Sequence, residues 1–246
     1  MLKDETLWII GANSDIAKSF VTKYASQFGS VVLACREPMK LSGLIAEYEL
    51  KNIQVFRLDL TDTESVDDFL LNAPEPYGAV FFAGHIEYDG KNEKSTNENI
   101  TATVAVNYLT PLVMIERIYD GMCKKGEGFI SLISSAGEIR GKYSNRFYVS
   151  SKKAVSTYLE GLAQHSIRHN VKIMVFKLGH TDTKMLRKIE EARKPIFVAS
   201  PEKTASFIFK EIVRNKSTVK YYHPVWKYIA IIYRLLPKTI YNKSEM

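Results

Sequence analysis

The fold of this chain is decided by the stretch Thr6-Leu7-Trp8-Ile9-Ile10-Gly11-Ala12-Asn13-Ser14-Asp15-Ile16-Ala17. Its first five residues predict a buried strand, and a turn of small residues leads into a helical pattern that continues to about residue 28. The apolar run 29–34 predicts a second strand. A strand, a short turn and a helix present backbone N–H groups and a helix N-terminus to a pyrophosphate. The stretch therefore predicts a dinucleotide site that includes Gly11, Asn13, Ser14, Asp15 and Ile16.

Strands and helices continue to alternate along the rest of the chain. Further strands are predicted at 54–58, 79–84, 128–133, 172–178 and 218–222, and the polar residues 91–99 predict a loop. Helices are predicted at 40–51, 100–124 and 147–169. A capping box of Thr61 and Glu64 predicts another helix that ends at about Asn72, and Ser200 with Pro201 predicts the start of a helix that ends at about residue 215. This order predicts an α/β protein, a Rossmann-type doubly wound parallel sheet of about seven strands with helices on both faces. We assign residues 1–222 to the dinucleotide-binding domain and 223–246 to a basic, aromatic C-terminal extension of the same domain.

Composition and charge limit the classes of protein that fit. Apolar residues make up 46% of the 246 residues, which argues against disorder. The two cysteines, Cys35 and Cys123, have neither metal-site spacing nor the density of a disulfide framework, which suits a reducing cytosol. Neither a signal-peptide pattern nor a run of about 20 apolar residues is present, so we expect a cytoplasmic protein. The net charge of +7 is concentrated in residues 216–246 and indicates an anionic neighbour.

Tyr148 and Lys152 are the first candidates for chemistry. They are four residues apart and therefore share a face of the predicted helix. A nearby ammonium group lowers the pKa of a phenol, and such a phenol exchanges protons with a carbonyl or alcohol oxygen. The Ser135 hydroxyl, after the strand at 128–133, can hydrogen-bond the same oxygen. Asn107 lies within a predicted helix, where asparagine is unfavourable, and this placement suggests a functional role.

Arg36 indicates which dinucleotide is bound. It follows the second predicted strand, at the point that faces the adenosine ribose in such folds. An arginine there pairs with a 2′-phosphate, so the sequence favours NADP(H) over NAD(H); a surface arginine without this role is the alternative. Asp59, after the third strand, is either an acceptor for the adenine amino group or a turn residue. Gly84, after the fourth strand, permits close approach of the backbone to the cofactor.

These residues, taken in order and spacing, resemble the short-chain dehydrogenase/reductase family over roughly residues 6–222. The family's catalytic set is matched by Asn107, Ser135, Tyr148 and Lys152. The resemblance implies that Tyr148 is the general acid/base, that Lys152 holds the nicotinamide ribose, and that Ser135 orients the carbonyl. It implies that Asn107 anchors a water leading protons to Lys152. It also implies a cofactor site completed by Leu60, Ala83, Gly179 and Thr181.

The sequence departs from the family pattern at three turns. Where the family has the turn Gly-x-x-x-Gly-x-Gly, this chain has Gly11, Asp15 and Ala17. The family's Asn-Asn-Ala-Gly is replaced by Phe-Phe-Ala-Gly at residues 81–84, and its Pro-Gly by Leu-Gly at residues 178–179. The charge of Asp15 must point away from a bound pyrophosphate. Asp15 and the tail are similar to one subgroup, which includes the ketoreductase that completes epimerisation of decaprenyl-phosphoryl ribose. This similarity implies a keto-sugar substrate, free or linked to a polyprenyl phosphate or nucleotide, in cell-surface polysaccharide synthesis.

The tail predicts an amphipathic helix over 225–236, too short to span a bilayer. Its apolar face packs either on the substrate cleft, on a second subunit, or at the inner face of the membrane as a peripheral contact. Its aromatic residues alternate with aliphatic ones, so we expect no nucleic acid partner. The family resemblance suggests a homodimer or homotetramer through the helices at 100–124 and 147–169.

Three alternatives remain open. His165 and His169 have metal-ligand spacing, but no third ligand is evident, so we interpret them as structural and expect no metal site. The basic cluster from Lys184 to Lys194 either closes over a phosphorylated substrate or is a solvated segment. The rival functions are reduction of another ketone, such as an acyl or polyol substrate, and a non-catalytic cofactor-binding or docking protein.

Overall fold

The computed structural model describes residues 2–187 and 197–243, and within them alternating strands and helices. The strands are β1 (Thr6–Ile10), β2 (Ser30–Cys35), β3 (Ile53–Arg57), β4 (Gly78–Phe81), β5 (Tyr88–Asp89), β6 (Asn92–Glu93), β7 (Phe129–Ser135), β8 (Lys172–Leu178) and β9 (Thr218–Tyr221). The helices are α1 (Asp15–Tyr24), α2 (Ser42–Glu47), α3 (Thr63–Asn72), α4 (Asn97–Val104), α5 (Thr110–Lys125), α6 (Arg146–Ser166), α7 (Lys184–Arg187), α8 (Pro201–Arg214), α9 (Pro224–Leu235) and α10 (Lys238–Lys243).

Seven parallel strands form one sheet in the order β3-β2-β1-β4-β7-β8-β9, which confirms the predicted Rossmann-type architecture. The strand order reverses between β1 and β4, and ligands of such sheets bind at this switch point, outside the carboxyl ends of the strands. The strands β5 and β6 form a separate antiparallel hairpin.

Two apolar layers enclose the sheet because its strands are buried on both faces. One layer is built from α1 and α8, with Phe20 and Ile208 among its fully buried side chains. The other is built from α3, α5 and α6, with Phe69, Met114 and Leu159 fully buried. The sheet therefore holds the carboxyl ends of its strands rigidly beneath the candidate site.

Several predicted boundaries and one cap were wrong. The helix predicted at 40–51 is a 3₁₀ turn followed by the short α2, and the loop predicted at 91–99 contains β6 and the start of α4. The long helix at 100–124 is three segments, because a π-helical turn at Ala105–Leu109 separates α4 from α5. The cap of α3 is Asp62, whose carboxylate accepts from the Glu64 N–H at 3.1 Å, and not the predicted capping box of Thr61.

The predicted helix start at Ser200 and Pro201 is confirmed, since the Ser200 hydroxyl accepts from the Lys203 N–H at 3.3 Å. The basic cluster from Lys184 to Lys194 lies mostly outside the described residues. None of the described helices combines the length and apolar character needed to cross a bilayer.

Candidate active site

A cavity of about 1480 Å³ opens at the switch point of the sheet. Its walls come from the turns after β1, β2, β4, β7 and β8, from the start of α6, and from α7 and α9. Single ligand pockets usually measure about 300–1,000 Å³. This cavity therefore has room for a dinucleotide together with a second molecule.

The structure brings Tyr148 and Ser135 together in this cavity. Ser135 ends β7 and Tyr148 lies in the first turn of α6, and the Ser135 hydroxyl is close enough to act on the pKa of the phenol. Burial raises the pKa of Tyr148 to about 12, and the carboxylates of Glu138 and Glu93 add to this, while the Ser135 hydroxyl opposes it. The phenol is therefore protonated at neutral pH and is placed to donate its proton.

Lys152 lies one turn further along α6, with its ammonium group buried at the strand ends. Its Nζ donates to the carbonyl oxygens of Ala83 (3.1 Å) and Ile133 (3.0 Å). Burial lowers the pKa of Lys152 to about 8, although the Glu138 carboxylate opposes this shift. We predicted that Lys152 lowers the pKa of Tyr148; in the protein alone this is wrong, because burial of the phenol outweighs any effect of the ammonium group.

Asn107 occupies the π-helical turn between α4 and α5 and is buried. Its amide accepts from the His85 N–H at 2.8 Å and donates to the His85 carbonyl at 2.9 Å and to the Ser151 hydroxyl at 3.1 Å. π-helical turns occur frequently at functional sites. The amide thus ties the segment after β4 to α6, and its Oδ1 lies 3.8 Å from where a Cβ on Gly84 would stand.

Glu93 supports the start of α6, and sequence reasoning missed it. This carboxylate on β6 is 2% exposed and accepts from the N–H groups of Phe147 (2.7 Å) and Tyr148 (3.0 Å). Burial raises its pKa, and the two backbone hydrogen bonds oppose that shift. A carboxylate at this position satisfies otherwise unpaired donors at a helix N-terminus. The hairpin β5–β6 therefore fixes the position of Tyr148.

A second buried network, also missed, lies beside Lys152. The Lys177 ammonium pairs with Glu138 at 2.7 Å, and both side chains are buried. The hydroxyls of Ser134 and Ser156 donate to the same carboxylate. Burial would lower the pKa of Lys177, but Glu138 more than offsets this, so the pKa is raised. The four residues come from β7, β8, α6 and the turn after β7, so only the folded chain reveals them.

The turn after β1 has the backbone that a pyrophosphate site needs. Gly11 has a φ of 84°, and a Cβ there would lie 2.6 Å from the Ala83 nitrogen, so only glycine fits. Asn13 and Ile16 line the cavity, and the buried Oδ1 of Asn13 has no hydrogen-bond partner among residues 2–187 and 197–243. Asp15 accepts a hydrogen bond from the Lys184 N–H through its carboxylate at 2.7 Å.

The other predicted cofactor residues also line the cavity, at the strand ends. They are Ser14, Asp15, Arg36, Asp59, Leu60, Ala83, Gly84, Gly179 and Thr181. Burial alone would raise the pKa of Asp59, but hydrogen bonds from Thr61 and the charge of Arg36 lower it overall. One Asp59 oxygen accepts from both the N–H and the hydroxyl of Thr61, as in a turn residue. Within the described part of the chain, the buried Thr181 hydroxyl has no hydrogen-bond partner.

The C-terminal extension packs on the cleft. Trp226, Ile229 and Tyr233 of α9 line the cavity, and a Cβ on Gly179 would lie 1.9 Å from the Trp226 indole nitrogen. Arg140 donates to the carbonyls of Tyr233 (3.0 Å) and Leu236 (2.7 Å), at the end of α9. The predicted apolar face of the tail helix is therefore directed at the protein's own cleft.

Comparison with known proteins places this site in a family. The sequence profile described as short chain dehydrogenase matches residues 5–194. The chain belongs to the short-chain dehydrogenase family. An uncharacterized oxidoreductase of Staphylococcus aureus (strain MW2) is 24% identical over 186 residues, which cover 74% of this chain and 80% of that protein. The chain is thus an oxidoreductase of the short-chain type.

Solved structures of the family share the fold at low identity. A short-chain dehydrogenase from Sphingobium yanoikuyae in complex with NADPH has a TM-score of 0.81 and 16% identity, covering 95% of this chain and 97% of that one. A short-chain dehydrogenase from Burkholderia cenocepacia in complex with NADP has a TM-score of 0.80 and 18% identity, covering 96% of this chain and all of that one.

Proposed function

We propose that the protein is an NADP(H)-dependent reductase that converts a keto group of a sugar to an alcohol, with Tyr148 as the proton donor. The observation that carries this proposal is the proximity of the Tyr148 and Ser135 hydroxyls, one turn from a buried lysine, inside a cavity larger than one ligand needs. The two structural relatives described above hold NADPH and NADP.

The cavity fits NADP(H). Asn13 Oδ1, in the turn after β1, and Thr181 Oγ1, after β8, are buried polar atoms without hydrogen-bond partners among the residues that the structure describes. The Arg36 guanidinium, exposed at the end of β2, would pair with a 2′-phosphate. A side chain at Gly84 would fill the space within 3.5–3.8 Å of Met185, Lys152 and Asn107. When bound, the cofactor supplies the hydride.

The side chains of this chain handle the proton and the substrate oxygen. Ser135 donates to the carbonyl oxygen and Tyr148 transfers its proton as negative charge develops there. The pKa of about 12 keeps the phenol protonated at neutral pH, which favours reduction. Oxidation of an alcohol needs the phenolate and should therefore accelerate as the pH rises. Lys152, charged below about pH 8, supplies the cationic group that holds the cofactor ribose.

Polar and apolar features of the cavity favour a sugar substrate with an apolar carrier. Asn145, just before α6, has a buried Oδ1 that no described residue hydrogen-bonds, and which would accept a hydrogen bond from a sugar hydroxyl. The α9 residues Trp226, Ile229 and Tyr233 add an apolar wall to the same cavity. Aromatic faces next to hydrogen-bonding groups suit the ring of a sugar and the start of a polyprenyl chain.

The test compares NADPH oxidation by the purified protein with keto-sugars, keto-sugar phosphates, a polyprenyl-phosphate-linked keto-sugar and a β-ketoacyl thioester. We expect turnover with one of the sugar classes and loss of about 10²–10⁴-fold in kcat for Tyr148→Phe, with unchanged NADPH affinity. Turnover retained by Tyr148→Phe would refute the role of the phenol. Turnover with only the thioester would favour the rival ketone substrate, and failure to bind NADPH or NADH would favour a docking protein.

We also propose that α9 contacts the inner face of the membrane. Its outer side exposes Tyr228 (63%), Ile232 (57%) and Leu235 (77%), with Lys227 and Arg234 beside them. Co-sedimentation with anionic vesicles should fall for Leu235→Ser and persist for Leu71→Ser, a matched control that is 84% exposed on α3. Equal binding by both variants would exclude this surface.

The oligomer proposed from the family resemblance is a homodimer or homotetramer through α5 and α6. Exposed apolar side chains support it: Val104 (40%), Leu109 (52%) and Val113 (50%) lie between the end of α4 and the start of α5. Light scattering of Val113→Glu should show dissociation if this surface is the interface, because a charge there is desolvated on association. An unchanged mass for that variant would place the interface elsewhere.

A further inference from the structure

Cys123, His165 and His169 form a cluster outside the cavity. Cys123 lies near the end of α5, His165 in the last turn of α6, and His169 in the 3₁₀ turn that follows. The Cys123 sulfur and one ring nitrogen of each histidine all lie within 4.8 Å of one another. His165 follows Lys152 by thirteen residues of one helix, which places the cluster about 20 Å from the catalytic lysine. The cluster supplies the third ligand that the sequence pattern of His165 and His169 lacked.

The surrounding side chains hold the cluster in place. The Tyr119 hydroxyl is hydrogen-bonded to His165 Nδ1 at 2.8 Å and also contacts Cys123, one turn further along α5. The two imidazole rings lie with centroids 4.6 Å apart and planes inclined by 36°. The carboxylates of Glu116 and Asp120 act on the same tyrosine, so the local charge favours a cation. The cluster is therefore partly ordered before any ligand binds.

The ligand set selects the kind of metal. Thiolate and imidazole are ligands for Zn²⁺, whereas Ca²⁺ and Mg²⁺ require oxygen. In a tetrahedral zinc site, Zn–S of about 2.3 Å and Zn–N of about 2.0–2.1 Å place neighbouring ligand atoms about 3.3–3.6 Å apart. The separations here, at most 4.8 Å, exceed that spacing by up to about 1.5 Å, a distance that side-chain rotation covers. His165 and Cys123 are exposed enough for an ion to enter from solvent.

We infer that Cys123, His165 and His169 bind Zn²⁺, with water as the fourth ligand. On binding, the Cys123 thiol releases its proton to solvent, and the thiolate and two neutral imidazoles coordinate the metal. The ion then links the end of α5 to the end of α6. It stabilises the folded protein and takes no part in the reaction, because the cluster is far from Tyr148.

Cobalt reports directly on this geometry. Untagged, EDTA-treated full-length protein is titrated with Co²⁺, and we expect one equivalent to produce visible ligand-field bands of a tetrahedral ion together with a near-ultraviolet thiolate-to-cobalt transition. Zn²⁺ should displace the cobalt, and the melting temperature in Zn²⁺ should rise by on the order of 5 °C. A wild-type protein without the thiolate transition would overturn the inference, whatever the variants do.

Variants locate the metal. Cys123→Ser should abolish the thiolate transition and weaken Zn²⁺ binding, measured against a chromophoric chelator, by at least about 100-fold. His169→Gln should weaken it similarly. Cys35→Ser, which changes the other cysteine, and Gln164→Ala, an exposed neighbour of His165, should bind Zn²⁺ like the wild type. Binding that survives Cys123→Ser, or that is lost in Cys35→Ser, would overturn the assignment.

Discussion

We propose that Arg36 selects between NADPH and NADH through its single positive charge. It follows β2 at the rim of the cavity and acts electrostatically on Asp59, so its guanidinium is close to the adenosine end of the site. A charge-assisted hydrogen bond to a phosphate contributes about 1.5–3 kcal/mol, whereas the 2′-hydroxyl of NADH gains little from a cation. Arg36→Ala should therefore raise the Kd for NADPH about 10–100-fold and leave the Kd for NADH nearly unchanged.

Fluorescence titration of both cofactors measures this ratio, and Arg57→Ala provides the control. Arg57 ends β3 and also acts on Asp59, but it does not line the cavity. An equal loss of NADPH affinity in both variants would mean that general positive potential, and not a specific pairing, selects the phosphate.

Lys152 makes stability depend on pH in the alkaline range. The folded protein releases the Lys152 proton near pH 8, whereas the unfolded chain keeps it to about pH 10.5. The unfolded state therefore binds more protons between these values, and the free energy of unfolding rises with pH by up to about 1.4 kcal/mol per unit. Below pH 8 Lys152 is protonated in both the folded and the unfolded state, so its contribution to stability no longer changes with pH.

Urea unfolding of the cofactor-free protein at pH 7.5–10.5 tests this contribution against Lys152→Met, which removes the titrating group and keeps a side chain of similar length. We expect the difference in stability between wild type and variant to change by about 3 kcal/mol in favour of the wild type across that window. Parallel pH profiles would show that the ammonium group is not desolvated at the strand ends.

At the scale of one element, α6 depends on a cap from a distant hairpin. Glu93 satisfies two N–H groups of its first turn and is buried. Glu93→Ala leaves both donors unpaired, which should lower the free energy of unfolding by about 1–3 kcal/mol and lower kcat more than it changes KM, because Tyr148 moves. Glu87→Ala is the matched control, since its exposed pair with Lys94 contributes little. Equal effects from both variants would remove the special role of Glu93.

Elements defined by local pattern were predictable, and those defined by distant partners were not. The apolar runs placed β1 and β8 at their observed bounds, and Ser200 with Pro201 placed the start of α8. Glu93 caps a residue 54 positions away, in a segment whose polar composition predicted only a loop. Cys123 meets His165 because α5 and α6 pack side by side, and no spacing rule records that contact. Period and turn chemistry act within a few residues, whereas burial and charge pairing act across the fold.

For the whole molecule, the sheet and the C-terminal extension are stabilised by separate sets of contacts. The two apolar layers that stabilise the sheet contain no residue of α9 or α10. The extension is held instead by Arg140, which donates to the end of α9 and lies 4.3 Å from the Tyr241 ring, and by the Tyr241 hydroxyl, which donates to the Gly141 carbonyl at 2.9 Å. These contacts join the extension to the loop before α6, so it encloses the end of the cavity where we propose that the substrate binds.

A chain that ends at His223 should therefore fold and bind NADPH but lose its substrate. The cofactor turns stay intact without α9, whereas the wall formed by Trp226, Ile229 and Tyr233 is removed, so KM should rise about 10-fold or more while NADPH affinity changes less than about 3-fold. Arg140→Lys in the full chain keeps the charge but loses the two-carbonyl contact, and should raise KM by a smaller factor. Loss of cooperative unfolding on truncation would show that the extension belongs to the core. An unchanged KM would show that the substrate does not touch α9, since removal of a contacted wall must weaken binding.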